Sequence, residues 1–306
     1  MSHPTAPATP IPPHLFTLFL FLLSSSLAVA AEKPMEVSWY TNYSKAMAVA
    51  EKQGKMMFVF FAQPGKNKLR DHMESVVLAD PEVRRKLQKY VCTKLLTDTK
   101  IRVKGNQVTV LDHAAFQKMQ GKQGVAILDF ANPKNPETYG RVVSAFPLTA
   151  EHKYSARQMR VILDLPPGTI TQRTLIFAIR IHPDHPASTD GRLHPFLVAE
   201  AKRHSQHQAR IRLQGHHHWN SRFHRINARL SSGLTACEVC AESWPGQNLV
   251  AAAIECVRCW RLSSGHWSAV RARQHSYGYD MKSGSNGVWY ATGIFGRKGQ
   301  SLAQSL

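Results

Sequence analysis

The stretch KMMFVFF at residues 55–61 decides the fold of the first half of the chain. Its apolar run from residue 56 has the length of a strand and no polar face, as expected for a strand buried on both sides. A helix is predicted before it, from Asn42 to Gly54, where Gly54 can end the helix. Helices are also predicted at 66–77 and 81–90, followed by a second strand at 90–96.

The rest of this half continues the alternation of helices and strands. A helix is predicted at 112–120, strands at 124–130 and 141–146, and a helix that Ser155 caps and that runs to about residue 165. Residues 36–165, called the first block below, are therefore predicted to form an α/β domain with a mixed sheet and helices on both faces.

The first block resembles the thioredoxin-like fold in this order, in Trp39 and in its late hairpin. The resemblance implies a Cys-x-x-Cys site directly after the strand at 56–61, but residues 63–68 read QPGKNK. The proline expected before the third strand is also missing, since residues 123–125 read QGV. Without a thiolate nucleophile this position is expected to carry out no thiol–disulfide exchange. Cys92 lies in the second strand and is interpreted as a buried apolar residue.

The segment Pro166-Pro167-Gly168 separates the first block from residues 169–306, called the second block. Helices are predicted there at 196–213, 220–230 and 249–262 from the spacing of apolar residues. A β-hairpin is predicted at 277–295, with its turn at 284–287.

The second block resembles the CAP superfamily, also called SCP-like, in three places. The first is the helix AEAKRHSQHQA at 199–209 with the loop histidine His216, the second is EVCAES at 238–243, and the third is WRLSSGH at 260–266. The ending GVWYATGIF at 287–295 also fits the family. Val239 replaces the usual Asn and Ser264 the usual Pro. The resemblance implies a CAP-like α-β-α sandwich.

The resemblance also implies an open cleft in which histidines and glutamates converge. Carried over residue by residue, its ligands for a divalent metal such as zinc would be His216, Glu238 and His266, with His218 as the alternative to His216. Imidazole and carboxylate groups suit such an ion. Glu242 is a further candidate in the cleft, and Trp267 is expected at its rim.

Four cysteines offer a different reading of the same region. Cys237 and Cys240, then Cys256 and Cys259, have the spacing of a zinc ribbon. The second pair falls in a predicted helix, however, and an exported chain meets oxidising conditions that favour disulfides. Disulfide bonds, zinc ligation and free buried thiols all remain open from the sequence.

Residues 1–30 are predicted to be a signal peptide. They contain no Lys, Arg, Asp or Glu, and a short apolar run leads to the small-x-small sequence Ala28-Val29-Ala30. The run is shorter than the roughly 20 apolar residues of a membrane span. The chain is therefore expected to be exported, either secreted or to the periplasm and cell envelope, with no membrane span in its mature part.

The chain carries a net charge of +19, and both blocks contribute to the excess. Such a charge attracts acidic polymers, and an exported chain meets envelope polysaccharides and other exported proteins rather than nucleic acid. The sequence thus favours a non-catalytic binding or scaffold protein with a cleft for a ligand or metal ion. The alternative is a metal-dependent hydrolase in which Glu238 or Glu242 would be the general base for a metal-bound water.

Overall fold

The fold is taken from a computed structural model, and the residues it describes are 36–103 and 105–298. The predicted signal peptide, residues 1–30, lies outside them. Helices and mixed sheets alternate along the described chain, so the predicted α/β class is confirmed. None of the described helices is both long enough and apolar enough to cross a membrane.

The first block is built around a five-stranded sheet. Its elements are β1 (Trp39–Tyr40), α1 (Tyr43–Gln53), β2 (Met57–Ala62), α2 (Lys68–His72), α3 (Pro81–Leu87), β3 (Val91–Leu96), β4 (Lys100–Val103), β5 (Asn106–Thr109), β6 (Gly124–Leu128), β7 (Val142–Pro147) and α4 (Ala156–Leu163). The strand order is β1-β3-β2-β6-β7, with β1, β3 and β2 parallel and β6 and β7 antiparallel to their neighbours. The β4–β5 hairpin forms a separate two-stranded sheet.

Strand β2 lies at the centre of this sheet and is buried along its whole length, as predicted. Phe58 and Phe60 pack on one face, and Val59 and Phe61 pack on the other, because successive side chains of a strand point to opposite sides. The central strand therefore contributes to two hydrophobic cores.

Local capping explains where helix α1 begins and ends. The Asn42 side chain accepts a hydrogen bond from the Lys45 N–H, and Gly54 ends the helix at a φ of 60°. Two other helix predictions need correction. Residues 66–77 form α2 and then a π-helical turn at Met73–Val77, and residues 112–120 fall in 3₁₀ turns at Val110–Asp112 and Ala114–Met119.

The second block is a four-stranded sheet between helices. Its elements are α5 (Ile170–Arg180), β8 (Arg192–Leu193), α6 (Pro195–Ile211), α7 (Trp219–Asn227), β9 (Leu234–Glu242), α8 (Leu249–Leu262), α9 (Ser264–Arg271), β10 (Ser276–Ser283) and β11 (Trp289–Lys298). The strand order is β8-β10-β11-β9, and β10 and β11 form the predicted hairpin. Helix α6 packs on one face of this sheet, whereas α5 and α8 pack on the other.

Gly278 of β10 permits the close packing of α6 on the sheet. A Cβ atom there would overlap the backbone of Leu197 and Val198, so no larger residue fits without moving the helix. Helix α6 carries the loop of the candidate site at its end, and this close packing fixes its position.

Helix α5 joins the two blocks and was not predicted from the sequence. Eight consecutive residues, from Gln172 to Ile179, are buried, because the helix packs against β7 of the first sheet as well as against β10 and α8. The Arg173 side chain donates hydrogen bonds to Ser144 Oγ at 2.8 Å and to the carbonyl oxygens of Leu165 and Pro166 at 3.0 and 2.9 Å. Both blocks therefore belong to one compact unit with a shared core.

Candidate metal-binding cleft

The cleft forms on the face of the second sheet that carries α6 and α7. Alternate residues of β9 point to this face, among them the buried Glu238. His216 comes from the loop between α6 and α7, and His266 from the first turn of α9. Three elements that are distant in sequence thus bring these side chains together.

The two imidazoles and the carboxylate form a chain of contacts. The His216 Nδ1 atom lies 2.9 Å from Glu238 Oε1, and its Nε2 atom lies 3.2 Å from His266 Nε2. Since a carboxylate only accepts, His216 donates its Nδ1 proton, and its Nε2 atom carries the lone pair of the neutral ring, directed in this structure at His266 Nε2. His216 is exposed and His266 is half-buried, so the pair lies at the surface of the cleft.

Arg222 of α7 holds the Glu238 carboxylate in place through hydrogen bonds to both of its oxygen atoms. Its Nη1 atom contacts Oε2, its Nη2 atom donates to Oε1 at 2.8 Å, and its Nε atom donates to the His217 carbonyl at 3.0 Å. Burial alone would raise the pKa of Glu238, but the hydrogen bonds from Arg222 and His216 outweigh it and lower that pKa. Glu238 is therefore an ionised carboxylate at neutral pH.

His204 and Cys240 lie beside this pair, further from solvent. The His204 Nε2 atom donates to the Gly215 carbonyl at 2.8 Å, and burial lowers the pKa of His204 to about 4, so the ring is neutral. The Cys240 Sγ atom lies 3.8 Å from His216 Nδ1, and burial raises the pKa of this thiol well above its usual value.

Ligand atoms of His204, Glu238 and Cys240 lie within 4.8 Å of one another, so this buried group could hold a metal ion. The Arg222 guanidinium already occupies the space beside it, 2.8 Å from Glu238 Oε1 and 3.3 Å from His204 Nε2. A cation placed there would have to displace another cation. The outward-facing pair His216 and His266 has no such neighbour within contact distance among the described residues.

Three other sequence candidates lie away from this pair. Glu242 is exposed at the end of β9, four residues or about 13 Å from Glu238. Trp267 is buried against His182, with ring centroids 4.8 Å apart, and lies under the Arg261 guanidinium. His218 lies at the start of α7 with its ring 5.7 Å from that of His207. The structure brings His216, Glu238 and His266 together, but not these three.

The sequence left disulfide bonds, zinc ligation and free thiols open for the second block, and in the structure all five cysteines are free thiols. Cys237 points to the α8 side of β9, whereas Cys240 points to the cleft, because their parity along the strand differs. Cys259 contacts the carbonyl of Glu242, about 16 Å along the strand from Cys237. The four sulfur atoms therefore cannot converge as two bonds or around one zinc ion.

Sequence reasoning missed two residues of the site, His204 and Arg222. In both cases the spacing along the helix places the residue on the buried side, and this could have been recognised from the sequence. His204 lies on the same stripe of α6 as the buried Leu197 and Ala201, and Arg222 precedes the buried Ile226 by four residues on α7. Polar residues on the buried side of a helix need hydrogen-bond partners. Here Arg222 is the partner of Glu238, and His204 is the partner of the loop that carries His216.

In the first block, the position after β2 holds amides instead of a redox site. The Asn67 side chain accepts hydrogen bonds from the Leu69 and Arg70 N–H groups and from Gln123 Nε2, and it donates to Gln63 Oε1 at 2.8 Å. These residues occupy the two places where the thioredoxin-like resemblance implies cysteines and a proline. The cluster contains no nucleophile and no titratable group.

No protein-family model matches this chain, and no curated protein matches it. Function is therefore inferred from the side chains of the cleft.

Proposed function

We propose that this chain is an exported, non-catalytic binding protein whose cleft holds a divalent metal ion, zinc in the first instance, between His216 and His266. The metal-binding domain is CAP-like, and the thioredoxin-like block beside it serves as a scaffold without redox chemistry. One observation carries the proposal, the separation of 3.2 Å between the two Nε2 atoms.

That separation matches the geometry of a shared ion. Two nitrogen ligands at about 2.0–2.1 Å from a tetrahedral zinc ion lie about 3.3 Å apart. The two nitrogen atoms are therefore already at the separation that a shared ion requires. Imidazole nitrogen is also a good ligand for zinc and its neighbours in the first transition row.

Glu238 supports the site without being a ligand, a role that differs from the one the family resemblance implies. Its Oε1 atom accepts the Nδ1 proton of His216, and this contact fixes the tautomer that presents Nε2 to an ion. Histidine ligands of zinc generally make such a contact to a carboxylate. Arg222 in turn holds Glu238 in place and keeps it from moving toward the ion.

The same contacts favour binding over hydrolysis. A general base must reach the metal-bound water through a free carboxylate oxygen. Both oxygens of Glu238 are engaged by Arg222, and Glu242 lies about 13 Å away along the strand. Neither glutamate considered for the hydrolase is in a position to act as that base.

Topology supports the two family resemblances. The first sheet has a parallel half, β1-β3-β2, joined to an antiparallel hairpin, β6-β7, as a thioredoxin-like order requires. The second sheet lies between α6 and the pair α5 and α8, which is an α-β-α sandwich. The His216 loop follows α6, as it does in the CAP resemblance.

Metal content tests the proposal directly. The protein, purified without a histidine tag and stripped with chelator, is equilibrated with zinc chloride, desalted and analysed for bound metal. We expect about one zinc ion per chain, and d–d absorbance typical of a low coordination number when cobalt(II) replaces zinc. His216→Ala and His266→Ala should each abolish stoichiometric binding, because one imidazole cannot hold the ion alone.

Two controls account for the other histidines. His224→Ala removes an exposed histidine outside the cleft, and the double variant His217→Ala/His218→Ala removes the loop neighbours; both should still bind one zinc ion. Zinc binding that persists in His216→Ala and His266→Ala, or that is lost only in the His217/His218 variant, would refute the proposal.

A further inference from the structure

A basic groove runs from the metal-binding cleft across the end of the second sheet. It joins two open cavities of about 590 and 510 Å³, sizes typical of ligand sites. Both cavities are lined by Arg297 and Lys298, the last described residues of β11, so the two cavities adjoin at these residues. It is lined by His216, Trp219, Arg297, Lys298, Arg273 and His275.

The cations of this groove have no acidic partner among the described residues, and Arg297 makes only a long contact, 3.9 Å, from Nη1 to Cys237 Sγ. Arg273, Arg297 and Lys298 are exposed, and none of them forms a salt bridge with a carboxylate of the described residues. Glu238 is the one acidic residue lining the two cavities, and Arg222 neutralises it. Elsewhere on the surface, basic side chains such as Arg85, Arg258 and Arg261 are paired.

The groove also offers an aromatic surface at one end. Trp219 lines the larger cavity, while the Arg222 guanidinium lies over its ring at 5.2 Å. A flat ring beside hydrogen-bonding imidazoles and unpaired cations is suited to a chain of sugar rings that carry carboxylates. Arginine recognises a carboxylate through two parallel hydrogen bonds.

We infer that this groove binds an acidic polysaccharide through its uronate carboxylates, with Arg297 and Lys298 as the central contacts. The net charge of +19 would draw such a polymer to the protein, and the groove would give it a defined site. This inference goes beyond the proposed metal site and does not depend on it. The groove passes beside His216 but needs no ion there.

Binding of a fluorescently labelled galacturonate hexamer, followed by anisotropy in the presence of EDTA, tests the inference. The double variant Arg297→Gln/Lys298→Gln should weaken binding by about tenfold or more, since each lost contact to a charged group matters. The matched control Lys66→Gln/Lys68→Gln removes the same charge from exposed residues of the first block and should change affinity by less than about twofold. Circular dichroism and thermal unfolding verify that both variants fold.

Three results would overturn the inference. Equal losses in the two double variants would mean diffuse attraction by net charge. Equal binding of the fully methyl-esterified hexamer would mean that carboxylates are not recognised. Equal binding of a polyphosphate of the same charge would mean a general anion groove.

A further variant separates this inference from the metal proposal. His266→Ala should lose zinc but bind the hexamer as the unmodified protein does in EDTA, because His266 does not line the groove cavities. Loss of hexamer binding in this variant would contradict an independent groove. Failure of zinc binding alone would leave the groove intact.

Discussion

The polar cluster after β2 and the cleft beside β9 differ in what their side chains leave unsatisfied. In the first cluster, Gln63, Asn67 and Gln123 use their amide groups on one another and on the backbone of α2. In the cleft, both oxygens of Glu238 are engaged by Arg222 and His216, but the Nε2 atoms of His216 and His266 have only each other as partners among the described residues. A polar cluster is structural when all of its groups are held by buried partners, and it can bind when two nitrogen atoms at the surface have only each other as partners.

The largest expected effect on stability comes from removing Arg222, which holds Glu238 in the cleft. Arg222→Leu leaves the Glu238 carboxylate buried without its cation, so we expect the free energy of unfolding to fall by about 3–5 kcal/mol. Urea unfolding followed by circular dichroism measures this change.

The matched double variant Arg222→Leu/Glu238→Leu removes both charges. It should recover most of the lost stability, because no unpaired charge is left in the interior. If Arg222→Leu costs less than about 1 kcal/mol, the buried ion pair does not hold the cleft as described.

A second prediction concerns Asp280, a buried carboxylate of β10 whose donors are neutral. Its Oδ1 atom accepts from Thr171 Oγ1 at 2.6 Å and from the Met281 N–H at 2.8 Å, and burial raises its pKa to about 6. The unfolded chain has a pKa near 3.9. The folded state therefore holds the proton more tightly, and stability falls as the pH rises from about 4 to about 6.

Asp280→Asn removes this charge while keeping the acceptor oxygen. We expect the variant to be more stable than the unmodified protein by about 1–2 kcal/mol at pH 7 and to lose that advantage below pH 4. Thermal unfolding across this pH range provides the measurement. The exposed Asp98→Asn makes the same chemical change at the surface and is the matched control, and the same profile in both variants would argue against a buried charge at Asp280.

A smaller effect is expected in the amide cluster of the first block. Asn67→Ala removes the cap of α2 and the contact to Gln123, which should cost about 1 kcal/mol of stability and leave zinc binding unchanged. Denaturant unfolding and metal content are measured on the same preparation. The exposed Asn106→Ala is the control; altered metal content in Asn67→Ala would show that the two regions are coupled.

The last prediction changes no residue and concerns the number of cysteine thiols that react in the native protein. Cys92, Cys240 and Cys256 are buried, and burial raises the pKa of each thiol, so they should not react with a thiol reagent in the native protein. Cys237 and Cys259 are partly exposed and should react. All five should react in denaturant, and a lower number there would indicate a disulfide bond.

Local signals allowed much of the fold to be predicted. The caps of α1 lie within its own sequence, the apolar run at β2 has no polar face, and α8 covers the predicted residues 249–262. Helix α5 was missed, and eight of its consecutive residues are buried because it packs between β7, β10 and α8. Strand β9 was missed because Glu238 interrupts its apolar residues.

The candidate site could be predicted only in part, for a related reason. His216, Glu238 and His266 were found through the resemblance to a family pattern, which preserves residue types. Their support by Arg222 is a tertiary contact between α7 and β9, and no spacing along the chain encodes it. The separation of the four cysteines likewise depends on the alternation of side chains along β9 and on where α8 packs.

The position of α5 between the two sheets limits how the gene can be divided or recombined. A fragment that began at residue 169 would expose the side chains that α5 buries against β7, and one that ended at residue 165 would leave β7 uncovered on that side. We therefore expect neither piece to fold as an autonomous module. The two sheets are therefore expected to be inherited and expressed together.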